Sequence, residues 1–240
     1  RRFFRPQSVL RVDGVQPFEP FPRDHGFPLL EWGINWTLAH RANSYLLLHS
    51  GALERDGTAL LLPALPGSGK STLTAALANR GYRLLSDEFG AVHLDDGRIT
   101  PVLKPVALKN ESIDIIKAFE PSAIMGPSFP KTRKGTVAHM APNDLSIERR
   151  QERASPGLIV FPQFRKDANL SLEPMERGSA FAKLAVNCFN YEVLGPAGFM
   201  ALDRLIRSCE CYRLTYATLD DAVSTIDHIY SRRAGNSAVQ

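Results

Sequence analysis

The sequence is poor in cysteine: Cys188, Cys209 and Cys211 are the only three in 240 residues. An odd number without framework spacing excludes a disulfide scaffold and points to a reducing compartment. Cys209 and Cys211 have no second Cys or His pair at zinc spacing, so the thiols read as buried or half-buried free cysteines. Long apolar runs are also missing, none approaching the roughly 18 residues that cross a bilayer. The opening RRFFRPQSVL is basic but lacks the apolar core and cleavage site of a signal peptide. It begins with Arg1 rather than Met, as a trimmed or incomplete start would. The expected location is the cytoplasm, with no membrane partner. Lys/Arg runs never exceed two, so the net charge of +4 is diffuse and no nucleic-acid partner is expected. A pI near 9.1 favours anionic ligands such as nucleotides, or an acidic partner. Internal repeats and low-complexity linkers are absent.

What is present is an ordinary globular composition, 44% hydrophobic and 22% charged, in a chain long enough to bury a core without staples. Residues 1–43 are rich in Pro, aromatics and Arg and read as an irregular segment with one or two strands, packed on the core. Residues 44–232 read as one α/β domain with a mixed sheet, and 233–240 as a frayed tail. Two strands flank Asp56-Gly57, a dipeptide suited to a tight hairpin. TALLLP (58–63) is continuously apolar, as a strand covered on both faces should be. A helix is expected over 70–80, a strand in YRLLS, a second hairpin turning at Asp96-Gly97, and a short helix in ESIDIIKAFE. The stretch MGPSFPKTRKGTVAHMAPND reads as a basic, Pro- and Gly-rich loop. GLIVFPQF is a further buried strand. It is followed by helices near 177–190 and 195–208, the strand CYRLTY, and a last helix over 219–232.

The strongest local signal is TALLLPALPGSGKSTLTAAL, a buried strand, a glycine-rich turn and a helix in that order. Gly67 and Gly69 allow backbone N–H groups to turn toward an anion. The helix beginning near Lys70 adds its unpaired N–H groups and positive dipole end. Lys70 can reach the β and γ phosphates of a nucleotide, and the Ser71 hydroxyl can hold Mg2+. Ala64, Pro66, Gly67, Ser68, Gly69, Lys70, Ser71 and Thr72 are therefore the candidate nucleotide-binding residues. Ala64 stands where the usual phosphate-loop pattern has Gly, which is tolerable if it keeps a negative φ.

The next strand runs directly into Asp87-Glu88, bringing two acids back toward the loop. Alternation along a strand separates adjacent residues to opposite faces, so the two acids are expected to differ in role. Asp87 is assigned as the base that orients an attacking hydroxyl, and Glu88, with Ser71, as the Mg2+ ligand. The reverse assignment stays open.

On these residues the sequence resembles the HPr kinase/phosphorylase family, most closely its divergent HPr-kinase-related branch. The matching pieces are the stretch from Leu46 to Glu88, then KGTVAHMAP, IERRQERASPGLIVFPQF, NCFNYEVLG and CECYRLTY. The resemblance implies a phosphate-loop fold like the HPr kinase C-terminal domain, related to phosphoenolpyruvate carboxykinases. It implies Mg2+-dependent transfer from ATP to a hydroxyl, often a serine of a protein or peptide. It adds His49, matching a family histidine near the transferred phosphate, to the catalytic set of Asp87 and Lys70. The family's HPr-recognition segment is not evident, and KTRKGTVAHMAP stands roughly where a substrate-side loop would lie. Relatives of this branch are associated with peptide modification, which suggests a peptide serine or a small hydroxylated molecule as acceptor. A hexamer is compatible with the resemblance.

Phosphoryl transfer spreads negative charge over oxygens that cations can stabilise. Arg133, Lys134, Arg149 and Arg150 are the candidate clamp, with backbone donors at Gly135 and Thr136 and His139 nearby. Asn187 and Asn190 read as one face of a helix, polar or structural. Two rival readings are a non-catalytic ATP sensor and a nucleoside-kinase-type enzyme. The acids immediately after one helix, and the absence of an Arg-rich lid helix, argue against the latter.

Overall fold

A computed structural model describes residues 4–65 and 67–237. In chain order the elements are β1 (Gln7–Ser8), β2 (Phe21–Pro22), a 3-10 turn (Arg23–His25), α1 (Gly26–Arg41), β3 (Tyr45–Arg55), β4 (Thr58–Pro63), α2 (Lys70–Ala78), β5 (Arg83–Ser86), β6 (Phe89–His93), β7 (Ile99–Thr100) and β8 (Val106–Lys109). Then follow α3 (Glu111–Phe119), β9 (Phe129–Thr132), β10 (Gly135–Met140), α4 (Asp144–Glu148), β11 (Ser155–Phe164), β12 (Ser171–Pro174), α5 (Arg177–Val186), α6 (Tyr191–Leu194), α7 (Pro196–Ser208), β13 (Glu210–Tyr216) and α8 (Leu219–Ser237).

The hairpin that organises the main sheet turns at Asp56 (φ 51°) and Gly57 (φ 79°), both left-handed as a two-residue turn of this hand requires. It aligns Arg55 with Thr58 and Ser50 with Pro63. The mixed eight-stranded sheet has the order β12-β13-β11-β4-β3-β6-β7, with β5 also paired to β3. β11 runs parallel to both β4 and β13, while β3 is antiparallel to β4, β5 and β6. Alternation along β4 explains its continuous apolar run. Leu60 and Leu62 enter one core with Leu73 and Ala76 of α2 and Ile226 of α8. Ala59 and Leu61 enter the other with Leu184 of α5 and Leu202 and Leu205 of α7. Helices thus cover both faces, so α/β with a mixed sheet is the observed class.

Three expectations are corrected. Residues 1–43 are not merely irregular: they contain the sixteen-residue helix α1. Its central Gly33, a poor helix former, is there because the N-terminal segment crosses it closely; a Cβ would lie 2.0 Å from Leu10 Cδ2. The basic Pro/Gly stretch is not a loop but the hairpin β9–β10, which with β8 forms a second antiparallel sheet, β8-β10-β9. Val137 to Met140 of its inner strand are all buried, while Pro130 and Lys131 (φ 59°) mark an irregular edge strand. The last helix continues through Ser237, beyond the expected tail boundary, and 238–240 lie outside the described residues. Among the described residues no helix is long and apolar enough to cross a membrane.

Candidate functional site

β4 ends at Pro63, and the chain then turns over to α2. Gly67 (φ 86°) and Gly69 (φ 87°) take the left-handed conformation that the turn demands. Gly69 is doubly required, since a Cβ there would lie 2.6 Å from the Tyr216 hydroxyl. Ala64 is buried and is not among the residues with positive φ, so the departure from Gly costs nothing in backbone strain. Pro66 lies outside the described residues. The Ser68 hydroxyl closes the turn on the Leu65 carbonyl at 2.7 Å. The Leu73 N–H bonds the Gly69 carbonyl at 2.9 Å, so the N–H groups of Lys70, Ser71 and Thr72 precede the helical ladder. This is the geometry of an anion cradle.

Asp87 and Glu88 do not continue the alternation of β5. They form a two-residue bend between β5 and β6, shaped by the Ser86 hydroxyl, which accepts from the Glu88 and Phe89 N–H groups at 3.2 and 3.0 Å. The bend separates the acids by partner. Asp87 is buried; its main-chain carbonyl accepts from Lys70 Nζ, and its carboxylate lies 3.5 Å from the same ammonium. Burial pushes the Asp87 carboxyl up and Glu88 adds to this, while Lys70, a Ser71 hydrogen bond and Lys109 pull against it. Glu88 instead faces His49, 3.7 Å from Nε2, and is partly open to solvent. Burial and then Lys70 lower the His49 pKa, with Glu88 opposing. His49 lies in β3 one residue beyond the last β4 pair, Ser50 with Pro63, and is therefore carried to the mouth of the glycine loop.

The clamp candidates divide. Lys134, at the β9–β10 turn, acts electrostatically on Glu88, Lys70 and His49, with its ammonium 4.7 Å from the centre of the Trp32 ring. Although the residue as a whole is exposed, crowding around the ammonium lowers its pKa, followed by repulsion from Lys109. Arg133 points elsewhere, 5.5 Å from the Phe21 ring centre. Arg149 and Arg150 are not brought to the loop. Arg149 pairs with Glu54 (3.6 Å) and Glu152 (2.7 Å), and Arg150 donates to the Ile147 carbonyl. Glu54 belongs to the hairpin end of β3, roughly 14 Å from Ser50 at about 3.4 Å per residue. His139 is buried against Glu31 of α1 at 3.1 Å and the ring of Phe27 at 4.8 Å. Burial pushes the Glu31 carboxyl up, but the His139 bond and the charges of Lys104, His139 and Lys134 outweigh it and leave its pKa lowered.

Lys109 was not singled out in the sequence. It ends β8 and faces His49, Asp87 and Lys134 electrostatically. Nothing in the local pattern VALKN marks it, because its place depends on pairing β8 with β10. Asn187 and Asn190 do not share a helix face: α5 stops at Val186, and both residues bond the edge of β3.

A hydroxyl and nearby carboxylates make a hard, all-oxygen donor set, which fits Mg2+. Among the described residues no group of three or more His, Cys, Asp and Glu could hold a metal. A magnesium here would thus depend on phosphate oxygens and water for most of its ligands, its usual mode with nucleotides. Compared with known proteins, the chain matches no family model and no curated protein.

Proposed function

We propose that the chain is a kinase of the HPr kinase type, transferring the γ-phosphoryl group of ATP to a hydroxyl, above all a serine of a peptide or protein. The observation that carries this reading is the convergence of Lys70, Asp87, Glu88 and His49 at the glycine-loop end of β3 and β4. A structural ion pair accounts for Lys70 and Asp87 alone. It does not account for an uncapped helix start, two left-handed glycines and a second His–carboxylate pair at the same mouth.

In this reading the N–H groups of Gly67 and of residues 69–72, together with the Lys70 ammonium, hold the phosphates, with Lys134 and Lys109 adding positive potential. The contacts favour the reverse of the roles expected from strand alternation. Asp87, whose pKa the neighbouring Ser71 hydroxyl pulls down, belongs with Ser71 on the Mg2+ side. Bound there, the metal would neutralise charge on the phosphate oxygens. Glu88 and His49 face the acceptor. The hydroxyl oxygen attacks the γ-phosphorus, the bond to the β-bridging oxygen breaks, ADP leaves, and the hydroxyl proton passes to the Glu88–His49 pair.

The test is ADP release from ATP and Mg2+ with and without a degenerate serine-peptide pool. Acceptor-dependent release is expected, with Glu88→Gln lowering it about 100-fold or more while ATP still binds. ATP binding without acceptor-dependent release would leave the sensor reading in its place. A transfer defect in Asp87→Asn that extra Mg2+ does not relieve, together with an unaltered rate in Glu88→Gln, would return the role of base to Asp87.

A further inference from the structure

β4 must leave the sheet at Pro63 to form the glycine loop, and this has a cost for β3. Residues 45–49 of β3 pair with β6 along one edge, but β4 reaches only as far as Ser50 along the other. The opposite edge of 45–49 would otherwise be left with unpaired N–H and C=O groups. The segment 187–190 fills it. The His49 N–H donates to the Asn187 carbonyl at 2.8 Å, and the Asn187 side-chain amide donates back to the His49 carbonyl at 2.9 Å. Two residues further along, the Phe189 N–H donates to the Leu47 carbonyl at 2.9 Å. Asn190 then accepts from the Leu47 N–H at 3.0 Å and donates to the Tyr45 carbonyl at 2.9 Å. The Phe189 ring packs 5.5 Å from that of His49 and 5.1 Å from that of Phe89.

The two asparagines bind the same edge but touch different parts of the molecule. Asn190 is buried and holds Tyr45 and Leu47, upstream of the site. Asn187 holds both backbone polar groups of His49, whose imidazole faces Glu88 at 3.7 Å. We propose that Asn187 is a positioning residue of the transfer site, fixing the His49 backbone so that its ring stays aimed at Glu88. The role in transfer rests on the phosphotransfer reading above; the backbone clamp does not. Asn187 touches no reacting group itself and acts only through His49.

A double-mutant cycle tests this with ATP, Mg2+ and the serine-peptide pool. Asn187→Ala is expected to lower kcat about tenfold with KM for ATP unchanged, since small misplacements of reacting groups are costly. In a His49→Ala background the same change should have no further effect on kcat. Asn190→Ala, the matched control, should lower the melting temperature and leave kcat near that of the parent. Amide hydrogen exchange, read without nucleotide, should accelerate at Leu47 in Asn190→Ala, which removes the acceptor of that N–H, and at His49 in Asn187→Ala, where the N–H keeps its main-chain acceptor but the segment loses the side-chain bond that holds the two strands together. If Asn187→Ala does not fold, Asn187→Asp keeps the shape, removes the donor and is read in the same way. An equal loss of kcat in the parent and His49→Ala backgrounds, or unchanged exchange at His49, would overturn the proposal. If no acceptor gives ADP release, the phosphotransfer reading falls, and His49 exchange alone decides whether Asn187 is the clamp.

Discussion

Each end of β3 carries a buried ion pair, and the two are built differently. At the hairpin end Glu54 and Arg83 are each only 1% exposed. Arg83 donates to Glu54 and to the carbonyls of Arg149 (2.8 Å) and Glu152 (2.9 Å). Glu54 also accepts the Gly57 N–H at 2.6 Å and faces Arg149. This network closes on itself. At the glycine-loop end Lys70 and Asp87 are nearly as buried, but their pairing is incomplete: the carboxylate is 3.5 Å from the ammonium and its pKa is raised. Around them stand Glu88, His49, Lys109 and Lys134, more charge than the fold needs. A saturated buried pair is an architectural element, whereas an unsaturated one in a ring of further charges is suited to a ligand.

The largest effects should separate these ends most sharply. Arg83→Ala leaves Glu54 buried without its main partner and should cost about 3–5 kcal/mol of stability, measured by urea denaturation. Lys70→Ala should reduce ATP binding and transfer below detection, with a much smaller loss of stability, because Asp87 can take up a proton and Glu54 sits in a tighter enclosure. If Lys70→Ala unfolds the protein as severely as Arg83→Ala, the pair at the loop is structural too.

The same contrast shows what could be read from sequence. The hairpin at Asp56-Gly57, the apolar β4, the glycine loop and the two acids were all legible, because each depends on chemistry within a few neighbouring residues. His49 came from the family resemblance. Arg149 and Arg150 were misplaced because their positions depend on α4 docking beside β5, which no local pattern encodes. Lys109 was missed for the related reason that β8 reaches the site only through β10. Helix α1 was obscured by Gly33 and by aromatics that serve packing rather than amphipathic spacing.

A smaller effect concerns pH. The raised Asp87 pKa means that the folded state holds a proton more tightly than the unfolded state, so this contribution is full below the ordinary value of 3.8. It is lost as pH rises through the folded value. The lowered His49 pKa acts in the opposite direction: its contribution is present above 6.5 and is lost as pH falls through the folded value. Above 3.8 the Asp87 contribution shrinks, so at neutral pH the nucleotide-free protein is less stable for its buried Asp87 carboxyl. Asp87→Asn should raise the melting temperature at pH 7, with a gain that shrinks toward pH 4, while impairing transfer. A gain independent of pH would show that Asp87 ionisation is not its source.

The smallest expected effect compares two tyrosine hydroxyls, one at each end. Near the hairpin, the Tyr230 hydroxyl donates to the Thr58 carbonyl at 3.0 Å. Beneath the glycine loop, the Tyr216 hydroxyl is buried with no partner among the described residues, close against Gly69. Removing a bonded hydroxyl costs about 0.5–1.5 kcal/mol, whereas removing a buried unbonded one can be neutral or stabilising. Tyr230→Phe should therefore lower the denaturation midpoint, and Tyr216→Phe should leave it level or raise it. The measurement is repeated with ATP and Mg2+. If Tyr216→Phe becomes the more damaging change only with nucleotide present, the phenol gains its partner as the loop closes on phosphate. If it is equally harmless with and without nucleotide, the loop closes without using that hydroxyl, and the unpaired phenol is a packing consequence of Gly69.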